Sequence, residues 1–393
     1  MDRRKFLLLS SASVLATFSG SRLALSAANT EKRLVLIILR GGLDALHAVP
    51  PYADKDYRSL RPNLTIGMTG DERSVIDIDG YFGLHPALKQ LKHLYDSKEL
   101  LIVPASASRY RRRSHFDAQN FLENGSGKPF GLKDGWLNRS LIGLDNGDQR
   151  NGLALGPTVP LILQGKGSVQ TWSQSSLPAA DEDFLKRLES IYVNDPLFAQ
   201  AYADARGGAR PTGAIGKRQK RKSRQKFSDL AKVAGGFLKE PKGPRVAVME
   251  VQGWDTHFGQ NRRLNKLFQE YSEGLVELKS TLGNAWSDTA VLTVSEFGRT
   301  VAENGSRGTD HGTGGLAFIA GGAVNGGRII GDWPGLESKA LYEERDLIPK
   351  NAYESLFKAA LISHLGLKQG YVEDKVFPNS VEFQPSEQLF REV

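Results

Sequence analysis

Apolar positions along the chain follow two rhythms. Short uninterrupted runs occur at Leu34–Leu39 (LVLIIL), Leu100–Pro104 (LLIVP), Leu161–Leu163, Val246–Val251 (VAVMEV), Ala290–Val294 and Leu316–Ala320. Runs of this length, rich in β-branched residues and without alternation, predict strands covered on both faces. Between them lie helical stretches at Pro86–Tyr95, Phe116–Asn124 and Asn261–Leu282. In the last, Leu264, Leu267, Phe268, Tyr271, Leu275 and Leu278 make a stripe at i, i+3, i+4 spacing. Tyr353, Leu356, Phe357, Ala360 and Leu361 repeat it near the end of the chain. The alternation predicts one α/β domain over 29–393, a doubly wound and mainly parallel sheet with helices on both faces. In such sheets ligands sit beyond the carboxyl ends of the strands, so the loops that follow strands carry the chemistry.

The first 28 residues follow neither rhythm. Asp2-Arg3-Arg4-Lys5-Phe6-Leu7 leads into a modestly apolar stretch to Phe18, and Ser26-Ala27-Ala28 offers a small-residue cleavage site. Paired arginines before a weak apolar segment are the signature of twin-arginine export. The stretch falls short of the roughly 20 residues a membrane span needs. The expectation is a cleaved signal peptide over 1–28, the export machinery as a transient partner, and a periplasmic or extracellular mature chain with no spanning segment. Proteins on this route usually fold before transport, often around a cofactor, so a metal is worth seeking.

A second segment also departs from the pattern. Residues 206–226 read RGGARPTGAIGKRQKRKSRQK, too charged and too rich in Gly to build a core, and predict a basic mobile insertion. Charge bookkeeping sets its meaning. The chain has 393 residues and a formal charge of +8. The first 28 residues carry +3 and the run 217–226 carries +7, so the remainder sums to −2. The basic balance therefore belongs to an export address and one loop, and nucleic acid is not an expected partner. An anionic small molecule or an envelope component is. With no cysteine in the chain, disulfides, thiol nucleophiles and thiolate metal sites are excluded.

Candidate chemistry sits where the strands end. The first strand runs into Arg40-Gly41-Gly42-Leu43-Asp44, with Arg40 and Asp44 as the polar groups at its mouth; Asp44 could equally be a helix cap. After the second strand comes Arg109-Tyr110-Arg111-Arg112-Arg113-Ser114-His115 and then a helix. Ser114 at a helix start, beside Arg113 and His115, is a candidate nucleophile, or else an ordinary N-cap with Asp117 completing a capping box. Gly253-Trp254-Asp255-Thr256-His257 follows another strand, and two alternating polar side chains there could reach one metal. Ser295-Glu296-Phe297-Gly298-Arg299 ends the 290–294 strand, making Glu296 and Arg299 further candidates. Gly308-Thr309-Asp310-His311-Gly312 precedes the 316–320 strand, with Asp310 and His311 as candidate ligands.

Taken together, RGGLDAL, RSHFDAQNFLENG, GWLNR, GWDTH, SEFGRT and GTDHG resemble, in order and spacing, the exported domain-of-unknown-function 1501 family. That family looks like a distant branch of the alkaline phosphatase and sulfatase superfamily. The resemblance implies an alkaline-phosphatase-like fold and a divalent metal, zinc, manganese or calcium, beside a hydroxyl nucleophile. By position Ser114 resembles that nucleophile, and Asp255, His257 and His311, with Asp310, resemble one metal site. The second metal site departs from the pattern: Arg40 stands where its first Asp is expected, and Glu296-Phe297 where an Asp-His pair is expected. The resemblance thus implies a one-metal centre in which Arg40 replaces the missing cation as an oxyanion clamp, with Asp44 as an alternative donor. Two functions follow. One is a degenerate envelope protein acting in binding or assembly; the other is a metal-dependent hydrolase of phosphate or sulfate esters using Ser114.

Overall fold

The first strand of the chain lies inside the sheet, with five strands to one side of it and three to the other. The computed structural model describes residues 30–391, apart from residue 69, residues 145–151 and most of 175–225. The expected signal peptide and all of the basic insertion except Lys226 lie outside the described residues. The main sheet contains β1 (Arg33–Arg40), β2 (Leu100–Ala107), β3 (Gly152–Leu155), β4 (Val169–Trp172), β5 (Val246–Gln252), β6 (Thr289–Val294), β7 (Gly315–Ala320), β8 (Arg328–Ile329) and β9 (Asn351–Ala352). Their order is β8-β2-β7-β6-β1-β5-β3-β4, with β9 also on β2. Among the described strands of this sheet only β7 runs against the rest, pairing antiparallel with both β2 and β6.

Alternate residues of β1 divide between two cores. Val35, Ile37 and Leu39 pack on one face and Leu34, Leu36 and Ile38 on the other. A strand with both faces buried has no polar side to show, which is why LVLIIL is continuous. One core takes the stripe of the 23-residue helix Gln260–Leu282, through Leu264, Phe268, Tyr271 and Leu275. The other takes the helix at Tyr353–Ala359, through Leu356 and Phe357, with Trp136 stacked on Phe357 at 4.7 Å between ring centres. Helices therefore cover both faces, as the sequence pattern predicts. Among the described residues no helix is long and apolar enough to cross a membrane.

Two expectations about strands are corrected. Leu161–Leu163 is a tight 3-10 turn. The residue before it is Pro160, which cannot donate to a ladder, and the Ile162 N–H goes instead to the Glu123 carboxylate at 3.0 Å. The strand that fills the sheet there is the GLAL run of β3, joined by VQTW of β4. The second strand also continues past Pro104 to Ala107, through a bulge at Ala105 with φ of 47°.

The carboxyl ends of β1, β2, β5 and β6 and the amino end of β7 lie along one edge. All the loops singled out from the sequence open there.

A candidate metal centre at the sheet edge

Three histidines from three loops converge. His115 opens the helix His115–Asn124 after β2, His257 follows β5, and His311 precedes β7. His311 Nε2 lies 3.0 Å from His115 Nε2 and 3.0 Å from His257 Nε2. The Asp255 carboxylate joins them, with Oδ1 at 3.0 Å from His257 Nε2 and 3.3 Å from His311 Nε2. His115, Asp255 and His311 each offer a donor atom to one point, these atoms all lying within 4.8 Å of one another.

The outward-facing nitrogens decide the protonation. His115 Nδ1 is 2.8 Å from Glu296 Oε1, His257 Nδ1 is 3.0 Å from Asp310 Oδ1, and His311 Nδ1 is 3.1 Å from the Arg113 carbonyl. A carboxylate or a carbonyl can only accept, so each Nδ1 carries the proton. In the neutral rings every Nε2 is then a bare lone pair, and those of His115 and His257 both face that of His311. Lone pairs facing one another at 3.0 Å repel unless a cation lies between them. This donor set fits a divalent metal, and the Nδ1 contacts are the outer hydrogen bonds that orient metal-binding histidines. Burial keeps His311 on the neutral side by lowering its pKa.

The loops are pinned from beneath by buried arginines. Arg299, with its side chain fully enclosed, donates to the carbonyls of Gly41, Gly42, Trp254 and Thr309 and to the Asp255 carboxylate. Burial alone would raise the Asp255 pKa; the Arg299 guanidinium overcomes this and holds it below its ordinary value. Glu296 is equally enclosed and accepts from the Gly41 N–H at 2.9 Å and Gln119 Nε2 at 2.9 Å as well as pairing with His115. Here too burial pushes the carboxyl up, and the bonds from His115 and Gln119 bring it below its usual range. Gly41 must be glycine: its φ is 122°, and a Cβ would stand 2.4 Å from the Asp255 nitrogen. Gly308 is as tight, with a Cβ there 2.3 Å from the His257 carbonyl.

The expected site residues fall into three groups. Asp255, His257, His311 and His115 come together at the centre, and Asp310 and Glu296 orient two of the rings. Sequence reasoning placed His115 beside the nucleophile; the structure brings it to the cluster as a candidate donor. Asp44 serves as a cap, accepting from the His47 N–H at 3.1 Å, and also pairs with buried Arg61 and Gln260 Nε2. It ties the loops from below and is not a donor to the histidine cluster. Arg40 also departs from expectation. Its guanidinium is bound by Glu123 at 2.7 Å and by Glu250, so its charge is neutralised within the fold and no free oxyanion clamp results. Arg113 is likewise paired, to Asp346 at 2.7 Å and to Glu343 at 2.5 Å, and its left-handed backbone at φ of 63° presents its carbonyl to His311.

Ser114 stands at the helix start, but its side chain makes no capping bond. The capping box is absent, because Asp117 accepts from Tyr110 Oη at 3.2 Å instead. Phe297, where a second metal ligand is expected, is buried against His115 and His311 at 4.7 and 5.0 Å between ring centres. Sequence reasoning missed Gln119 and Arg61. The first lies one helical turn beyond His115, and that spacing was its only signal.

No curated protein matches the sequence. The chain is similar to several solved structures, a sulfatase among them. The PsFucS1 sulfatase from Pseudoalteromonas sp. is 11% identical, with a TM-score of 0.37 over 92% of this chain and 71% of that one. Ps i-CgsB, solved with k-i-k-neocarrahexaose, is 12% identical, with a TM-score of 0.41 over 91% and 77%. The lipoteichoic acid synthase LtaP from Listeria monocytogenes is 10% identical, with a TM-score of 0.35 over 76% and 67%. A family described as protein of unknown function (DUF1501) matches residues 110–371, more than half of the chain. The chain belongs to the DUF1501 family.

Proposed function

We propose that this protein is a one-metal hydrolase of anionic esters, phosphate or sulfate, acting outside the cytoplasm. One observation carries the reading: three imidazole Nε2 atoms, each with its Nδ1 already committed, face one another and the Asp255 carboxylate. His115, Asp255 and His311 would hold the ion, with His257 completing the set. Nitrogen donors with one carboxylate suit zinc or manganese better than calcium, which takes oxygen ligands. When bound, such an ion supplies Lewis-acid polarisation of an ester oxygen.

The chain's own groups supply the rest. Ser114 is half-buried at the amino end of a ten-residue helix, where backbone N–H groups favour developing negative charge. Its hydroxyl is not spent on a cap, which leaves it free to attack phosphorus or sulfur. The Tyr110 phenol lies beside Ser114 and donates its own proton toward Asp117. That chain of hydroxyls leads the Ser114 proton away from the metal donors. Phe297 keeps one side of the site apolar and leaves room for one ion.

The same Phe297, with Arg40 neutralised by two glutamates, favours a second reading in which the protein holds a metal and an anionic envelope component without turning it over. The two separate by experiment. Metal analysis of the purified protein should give near-stoichiometric zinc or manganese, lost in His115→Ala and His311→Ala. Ser114→Ala should keep the metal and lose hydrolysis of aryl phosphate or sulfate esters. Metal with no hydrolysis of either ester supports the binding reading, and a metal-free folded protein overturns both.

A further inference from the structure

The exposed aromatic residues are concentrated around the metal centre. Among the described residues the phenylalanines with large exposure are Phe116 at 83%, Phe130 at 67% and Phe258 at 64%. Phe116 directly follows His115 and Phe258 directly follows His257, so two exposed rings are carried next to two histidines of the cluster. Phe130 is hydrogen-bonded through its N–H to Asn120, one helical turn beyond Phe116, and it holds a left-handed φ of 55°. A bulky residue in that region, with its ring in solvent, is strained without an internal contact to compensate it.

Arginines share the same rim. Arg112, Arg262, Arg263 and Arg307 are exposed, and none has an acidic partner among the described residues. Arg262 and Arg263 occupy the first turn of the 23-residue helix, which contains no acidic residue there. Cations at a helix amino terminus oppose the helix dipole, so their placement costs stability inside the chain. Arg263 lies over the Phe258 ring at 5.1 Å, and the Gln260 N–H bonds the Arg307 carbonyl at 3.0 Å, which ties these residues into one patch.

We propose that this rim docks on an anionic lipid bilayer, the rings entering below the headgroups and the arginines pairing with them. Charge complementarity favours that occupant. Interfacial membrane binding combines protruding apolar side chains with Lys or Arg and needs no groove. Phenylalanine offers a sugar no hydrogen bond, whereas insertion among acyl chains requires none. The docking does not depend on the chemistry of the metal centre; it places the mouth of that centre at the headgroup layer.

The sequence has no cysteine, so a single introduced one can carry an environment-sensitive fluorophore. The full-chain protein labelled at Asn261→Cys, beside Phe258, is titrated with vesicles of phosphatidylglycerol and phosphatidylcholine and with vesicles of phosphatidylcholine alone. The same label at Ser287→Cys, before β6 at the opposite sheet edge, is the control. A blue shift at Asn261→Cys on the anionic vesicles only, absent at Ser287→Cys, weakened by salt and requiring at least tenfold more lipid in Phe116→Ser/Phe258→Ser, supports the proposal. The proposal is overturned by any one of four results: no shift, an equal shift at Ser287→Cys, an unchanged titration in the double variant, or an equal shift with dextran sulfate in place of lipid.

Discussion

Glu296 Oε1 lies 2.8 Å from His115 Nδ1, joining residues 181 positions apart in the chain. The carboxylate is fully enclosed and also accepts from Gly41 and Gln119, so it cannot swing away. Its geometry fixes which nitrogen of His115 is free. Glu296→Gln keeps the shape and removes the charge, which makes the imidazole a poorer ligand. Losing a partner of this kind typically weakens metal binding by about 10–100-fold. Competition with a chromophoric chelator would measure that loss, and an unchanged affinity would show that His115 is not a ligand.

Arg40 should behave as a structural residue. Its guanidinium is 8% exposed and is shared by Glu123 and Glu250. Arg40→Met leaves Glu123 buried with no counter-charge, a change that costs roughly 3–5 kcal/mol. Burial already raises the Glu123 pKa against the pull of Arg40, so much of the loss should disappear in Arg40→Met/Glu123→Gln. Urea unfolding of both variants measures this. If Arg40→Met instead left stability unchanged and raised only KM for an ester, the clamp expected from the sequence would be restored.

How far the sequence reached depended on how local each signal was. β1, β5, β6 and β7 are six to eight residues long and each is dominated by apolar residues, so each run declares itself without help from its neighbours. GLAL and VQTW are too short to do so, and only their pairing beyond β5 makes them strands. LIL carried the right residues but had Pro160 before it and a glutamate side chain, not a strand, as its partner. The metal-centre residues stood out because Asp and His sat among glycines after strands. Their roles were harder to read. His115 was masked by Ser114 beside it, and nothing in RGGLD shows that two glutamates, on a helix and on a strand, neutralise Arg40.

Arg299 is the brace of the site. It donates to four backbone carbonyls from three loops and to Asp255. Arg299→Lys keeps the charge but cannot span these acceptors, since an ammonium is a point donor where the guanidinium is a planar fork. Leaving buried acceptors unpaired costs about 1–3 kcal/mol each, so the variant should lose on the order of 3 kcal/mol. Asp255 should also lose its fixed position, and metal affinity should fall with stability. A variant of wild-type stability would show that the loops are held elsewhere.

Acid sensitivity should come largely from histidines remote from the metal centre. Burial lowers the pKa of His47 to about 4, of His85 to about 3 and of His364 to about 4, against 6.5 for the free side chain. Below pH 6.5 the unfolded chain binds protons that the folded chain refuses, so the stability these groups support is full above 6.5. It is lost as pH falls toward 4. For His364 alone the shift corresponds to about 3 kcal/mol. His364 Nε2 bonds the Arg33 carbonyl at 2.9 Å, a bond that the glutamine amide can reproduce. His364→Gln should therefore lose less stability than the wild-type protein between pH 7.5 and pH 4.5. Urea midpoints at the two pH values give the comparison, and a constant difference between the proteins would mean that His364 does not titrate in this window.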